Sequence, residues 1–183
     1  MERVRTDGND DDNRAVARRA ALRRILACAL GAAAAGVVAP AAAQRRPRRF
    51  NLPAAADLAA DAAAAARQRI PLLLFFDRGD CPYCERALRE FLVPMANDPA
   101  WRDRAIYRQV EIDRATPLVD FAGTGTTHAA LAARYGASFA PTVLVVDPRG
   151  DPVGAPLVGL MTVDFYGGYL EDAVSAGLKK IRG

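Results

Sequence analysis

One histidine, three cysteines and an apolar stretch of only 15 residues narrow what this 183-residue chain can be. A spanning helix needs roughly 20 apolar residues, so residues 25–39, "ILACALGAAAAGVVA", fall short. A zinc site takes about four ligands. With Cys28 inside that stretch, only Cys81, Cys84 and His128 remain, so a metal would need carboxylates or a second chain, and no metal or cofactor is expected. "GTGTT" (123–127) lacks the lysine of a phosphate loop and reads as a plain loop. No internal repeat appears. The formal charge of +4 hides a split: seven of 25 Lys/Arg and five of 21 Asp/Glu lie in residues 1–43, leaving +2. Four of the remaining positives sit in "QRRPRRF" (44–50), so the body beyond is near neutral and asks for no nucleic acid.

Residues 1–43 read as an export signal. Arg14, Arg18, Arg19, Arg23 and Arg24 form a positive region, residues 25–39 an apolar one, and Ala41-Ala42-Ala43 a small-residue cleavage site. An uncleaved anchor is the alternative. Cleavage near Ala43 after export by the Sec or Tat route would leave two cysteines in a bacterial periplasm, where disulfides persist. A basic linker is expected over 44–53 and a single monomeric domain over 54–183.

Within that domain, "DLAADAAAAARQR" (57–69) has strong helix propensity. "LLLFFD" (72–77) is a strand buried on both faces. A helix is expected from Pro82 to Phe91, bent or broken near Pro94, then a strand over 105–113 and a loop over 114–126. "THAALAARYG" (127–136) is a short helix with His128 in its solvated first turn, closed by Gly136. "TVLVVD" (142–147) is a buried strand, and "VGAPLVGL" (153–160) an edge strand because of Pro156. A last helix starts at Thr162 or Asp164 and runs to about Lys180. Strands alternating with helices predict an α/β fold with a mainly parallel sheet between helical layers.

"CPYC" (81–84) lies where strand 72–77 gives way to a helix. Pro82 suits the first helical position. The helix N-terminus stabilises a thiolate, which makes Cys81 the attacking sulfur. Cys84, one turn further in, can resolve a mixed disulfide. A metal clip lacks ligands, and a static disulfide of this spacing closes almost no loop. The redox couple is the preferred reading.

The chain here resembles the thioredoxin superfamily over roughly residues 70–180, through "CPYC" at a helix start and "LAARYGASFAPTVLVV" (131–146). The resemblance implies a thioredoxin-like central mixed sheet of four to five strands sandwiched by helices. It also implies a cis Ala140–Pro141 bond beside the cysteines, and a substrate-binding set of Pro82, Tyr83, Ala140, Pro141 and Thr142. "CPYC" is also similar to glutaredoxins, but Gly167 and Gly168 fall inside the last helix, where packing is the expected role. The chain looks most like periplasmic thioredoxin-like proteins of sulfur-oxidation and cytochrome c maturation systems. Where thioredoxins carry a buried acid six residues before the first cysteine, this chain has Phe75; Asp77 or Glu85 is the expected proton acceptor for Cys84.

The expected activity is that of a periplasmic thiol–disulfide oxidoreductase that reduces disulfides of exported partner proteins, with electrons from a membrane thiol transporter. Asp77, Asp80 and Glu85 oppose thiolate formation while Arg78 and Arg86 offset them, and no His lies between the cysteines. Exposed charges worth about 0–1 kcal/mol each cannot span the roughly 7 kcal/mol between reducing and strongly oxidising couples. A disulfide-forming oxidant and a non-catalytic binding module stay open.

Overall fold

Asp57 opens the first helix: its carboxylate accepts the Ala60 N–H at 2.8 Å. In the computed structural model, which describes residues 50–183, α1 (Leu58–Gln68) ends at Arg69 in the left-handed region, before Pro71. β1 (Leu72–Asp77) follows, with all six residues buried. α2 (Pro82–Ala87) passes through a π-helical turn (Leu88–Leu92) into α3 (Val93–Asn97) without a break. This corrects the expected stop at Phe91. Pro94 has no N–H to give the helical ladder, and the wider turn ahead of it, closed from Val93 N–H to the Leu88 carbonyl, lets the helix carry on.

β2 (Ile106–Glu111) runs parallel to β1, while β5 (Thr142–Val146) pairs with β1 antiparallel and β6 (Leu157–Val158) with β5 antiparallel. The order is β2-β1-β5-β6, a mixed four-stranded sheet in which β1–β2 is parallel and the other two pairs antiparallel, not the mainly parallel sheet expected; β1 lies inside it with every residue buried. The short β6, next to Pro156, ends the sheet as expected. Segment 114–126 is not a plain loop. β3 (Pro117–Val119) and β4 (Gly125–Thr127) form a separate two-stranded sheet that takes up part of "GTGTT". α4 (His128–Arg134) is capped by Thr127, and Gly136 with φ +65° follows it. α5 (Val163–Arg182) closes the chain.

The segment expected as linker is folded at its end. Leu52 is buried, the Gln109 N–H donates to the Pro53 carbonyl, and the Ala55 N–H donates to the Gln109 carbonyl, each at 2.9 Å. These bonds cover the outer edge of β2. Gly177 lets α5 approach: a Cβ there would lie 2.8 Å from Pro71 Cβ and 3.0 Å from Val145 Cγ1. Residues 1–49, with the expected export signal, lie outside the described residues. No helix among the described residues is long and apolar enough to cross a membrane.

Candidate active site

Two turns of chain, both at the same end of the sheet, bring the site together. Cys81 caps α2 from an extended backbone (φ −101°, ψ 104°), and its Sγ accepts the Cys84 N–H at 3.0 Å. Pro82 takes the first helical position, where its missing N–H costs nothing. Cys81 and Cys84 form a disulfide with Cα atoms 5.2 Å apart. Cys81 is half-buried and Cys84 fully buried, so an incoming sulfur meets Cys81 first. A thiolate on Cys81 would keep the N–H of Cys84 and face the positive end of the helix.

From the other side comes the Ala140–Pro141 bond, which is cis. The Ala140 carbonyl oxygen lies 3.7 Å from Cys81 Sγ. Pro141 and Thr142 are buried; the Thr142 hydroxyl donates to the Phe139 carbonyl at 2.9 Å, and the Pro141 carbonyl accepts the Gly159 N–H at 2.7 Å. The first bond closes the proline loop on itself, and the second ties it to the chain after β6. Of the expected contact residues, Pro82 and Tyr83 are exposed beside the disulfide, Ala140 is half-buried, and Pro141 and Thr142 form the floor.

The two expected proton acceptors part company. Glu85 is exposed in the first turn of α2. Asp77 is buried at the end of β1, its Oδ2 accepting from Gln109 Nε2 at 2.9 Å, while Gln109 Oε1 accepts the Leu52 N–H at 3.1 Å. Gln109 had no signal in the sequence, because its role depends on the parallel pairing of β2 with β1. Asp80 sits in solvent, 3.7 Å from Arg78.

His128 is not solvated, as its helix-start position suggested, but 1% exposed. Its Nδ1 accepts the Glu111 N–H at 3.0 Å, which leaves Nε2 as the protonated nitrogen donating to the Ala55 carbonyl at 2.8 Å. It is a structural pin between β2 and the segment ahead of α1. No cluster of three or more metal-ligating side chains occurs among the described residues.

The apolar surface is uneven. Among the described residues, the large apolar side chains left exposed are Tyr83, Phe139, Val158, Met161, Phe165 and Tyr169. Tyr83 lies between the cysteines, Phe139 is next to the cis bond's Ala140, Val158 pairs with Thr142, Met161 just precedes α5, and Phe165 and Tyr169 lie in its first two turns. Sequence reading missed this set, although the four-residue spacing of 165 and 169, offset from the buried Tyr166, Leu170 and Val174, was available to it. A separate concavity of about 570 Å³ lies beyond the far end of β5. Its Asp120 and Arg134 pair with each other at 2.8 Å, and Arg149 pairs with Asp147 at 3.2 Å, so it adds nothing to the disulfide.

Solved structures with related folds include oxidised thioredoxin O2 of Arabidopsis thaliana, with 18% identity and a TM-score of 0.46, covering 69% of this chain and 96% of that one. The oxidised DsbD C-terminal domain of Neisseria meningitidis shares 25% identity with a TM-score of 0.42, covering 66% and 98%. The periplasmic thioredoxin SoxS of Paracoccus pantotrophus shares 19% with a TM-score of 0.40, covering 58% and 97%. No curated protein matches the chain. The family model described as thioredoxin-like domain matches residues 57–173, a span that holds the four-stranded mixed sheet, the Cys81–Cys84 pair and the neighbouring cis-proline, and the chain belongs to the thioredoxin-like family.

Proposed function

We propose that this protein is a periplasmic thiol–disulfide oxidoreductase that reduces disulfides in exported partner proteins. The observation that carries the reading is the unequal burial of two bonded sulfurs at a helix N-terminus, with Cys81 outermost and 3.7 Å from the Ala140 carbonyl. In the reduced protein the Cys81 thiolate attacks one sulfur of the partner's disulfide. A mixed disulfide forms and the partner's other sulfur leaves as a thiolate. Cys84, losing its proton, then attacks the Cys81 sulfur and frees the second partner thiol. Two electrons pass to the partner, and a dithiol donor, a membrane thiol transporter in this reading, returns them.

Asp77 suits the proton from Cys84 better than Glu85, because it is buried and held by Gln109 while Glu85 faces water. Tyr83, Ala140, Pro141 and Thr142 receive the extended partner segment by backbone pairing and apolar contact. The test is a Cys84→Ala variant expressed with its native leader. It should accumulate mixed disulfides in the periplasm that vanish when Cys81 is also replaced. Equal amounts of trapped protein in the single and double variants would overturn the reading. Oxidant and reductant are told apart by heat: a reductant's oxidised form melts above its reduced form, and an oxidant's below.

A further inference from the structure

Large apolar side chains are also exposed outside the cysteine and cis-proline segments: Met161, just ahead of α5, and Phe165 and Tyr169 within it are 89%, 64% and 45% exposed. Phe165 and Tyr169, four apart within α5, stack on one helix face about 6 Å apart; with Met161, just ahead of the helix cap Thr162, they make up an apolar ridge. The ridge starts two residues after Gly159, which is bonded to the Pro141 carbonyl. Tyr166, one residue past Phe165, packs this part of α5 against the π-helical turn, its ring meeting that of Phe91 edge-on at 5.1 Å. Several large apolar side chains left in solvent on one segment are costly to leave uncovered and mark a contact surface.

Charge says what covers it. From Val163 to Leu178, α5 carries Asp164, Glu171 and Asp172 and no cation; Lys179, Lys180 and Arg182 are confined to its far end. By helical spacing Asp172 falls on the same outer face as Phe165 and Tyr169. Nearer the disulfide, Asp80 and Glu85 are exposed, while Arg86 and Arg89 both turn to Glu90 at 2.8 Å and Arg78 lies beside Asp80. The neighbouring cations are therefore engaged, and the ridge is framed by carboxylates.

We infer that the α5 ridge is a docking site for an amphipathic segment of the redox partner, apolar on one side and flanked by Lys or Arg. This rests on the thiol-exchange reading and gives it a partner chemistry. Like-charged acidic segments are turned away by the same carboxylates.

The probes are two synthetic amphipathic peptides, each with one cysteine joined by a disulfide to 2-mercaptoethanol, differing only in Lys against Glu at the flanking positions. The reference is bis(2-hydroxyethyl) disulfide. Single-turnover rate constants are measured with the fully reduced protein at low and high salt. The Lys peptide should react at least tenfold faster than the Glu peptide at low salt, and the gap should close at high salt. In a Phe165→Ser/Tyr169→Ser variant the ratio of Lys-peptide rate to reference rate should drop at least fivefold. In Asp164→Lys/Asp172→Lys the preference for Lys should shrink. Equal rates for the two peptides, or an unchanged ratio in the ridge variant, would overturn the inference.

If neither the peptides nor the reference disulfide react, thiol exchange itself is refuted and docking is read alone. Fluorescence anisotropy of the labelled Lys peptide with a Cys81→Ser/Cys84→Ser protein then decides: binding weakened at least fivefold by the ridge substitutions supports the site. No binding, or binding indifferent to them, overturns it.

Discussion

Replacing His128 by leucine tests the account of how α4 is pinned to β2 and to the segment ahead of α1. Leucine fills a similar volume, so the main loss is polar. The part-buried Glu111 N–H, now 3.0 Å from Nδ1, and the buried Ala55 carbonyl, now 2.8 Å from Nε2, would both lose their partner. Each orphaned group costs about 1–3 kcal/mol, giving roughly 2–6 kcal/mol together, with the lower half favoured where water can enter at the edge. That is a large share of the 5–15 kcal/mol that holds a typical domain folded. With a urea slope near 2 kcal/mol/M, the midpoint should fall by about 1–2 M at unchanged slope. Equilibrium urea unfolding by circular dichroism at pH 7 reads this directly. Below its midpoint the variant should still exchange disulfides, because His128 touches neither cysteine. A midpoint within 0.3 M of the parent, roughly 0.6 kcal/mol at that slope, would refute the pinning argument.

Two glycines of α5 should behave oppositely. Gly168→Ala meets open space and gains up to about 1 kcal/mol of helix propensity, whereas Gly177→Ala drives a Cβ to 2.8 Å from Pro71, and overpacking of about 1–3 kcal/mol outweighs the same gain. Thermal melts should rise for the first and fall for the second. The Tyr166 hydroxyl is buried with no hydrogen-bond partner among the described residues, so Tyr166→Phe should stabilise by about 1 kcal/mol in urea titration. Burial pushes the phenols of Tyr107, Tyr135 and Tyr166 up to about 12 from 10.0. The folded state then holds protons that the unfolded state loses, so stability intact below pH 10 should decline between pH 10 and 12, less steeply in Tyr166→Phe. At the acid end, the Thr124 N–H and Arg134 hold the Asp120 carboxyl below its ordinary value. For Asp147, burial acts upward but is outweighed by the N–H groups of Arg149 and Asp151 and by the Arg149 and Lys180 side chains. Both carboxyls favour folding above the ordinary value of 3.8 and lose that contribution as pH falls through the lower folded value. The urea midpoint should therefore drop on going from pH 5 to pH 3, with a smaller drop in Asp120→Asn.

The features legible in the residues alone were local or periodic. The apolar run that opens at Leu72 and ends at Asp77 has strand length and follows Pro71, which reads as a strand covered on both sides, and that strand lies inside the sheet with all six residues buried. Cys81 before Pro82 set a helix start, and Gly136 a helix end, because caps and left-handed turns act over one or two residues. Tertiary contacts settled everything else. Strands of three residues, like Pro117–Val119 and Gly125–Thr127, are too short to alternate visibly and exist through pairing with each other. The burial of His128 depends on Ala55, 73 residues away, and on Glu111. The apposition of Ala140 to Cys81 across 59 residues follows from β5 running antiparallel to β1. Residue type and spacing report what a side chain needs; only the folded chain settles whether a distant backbone group supplies it.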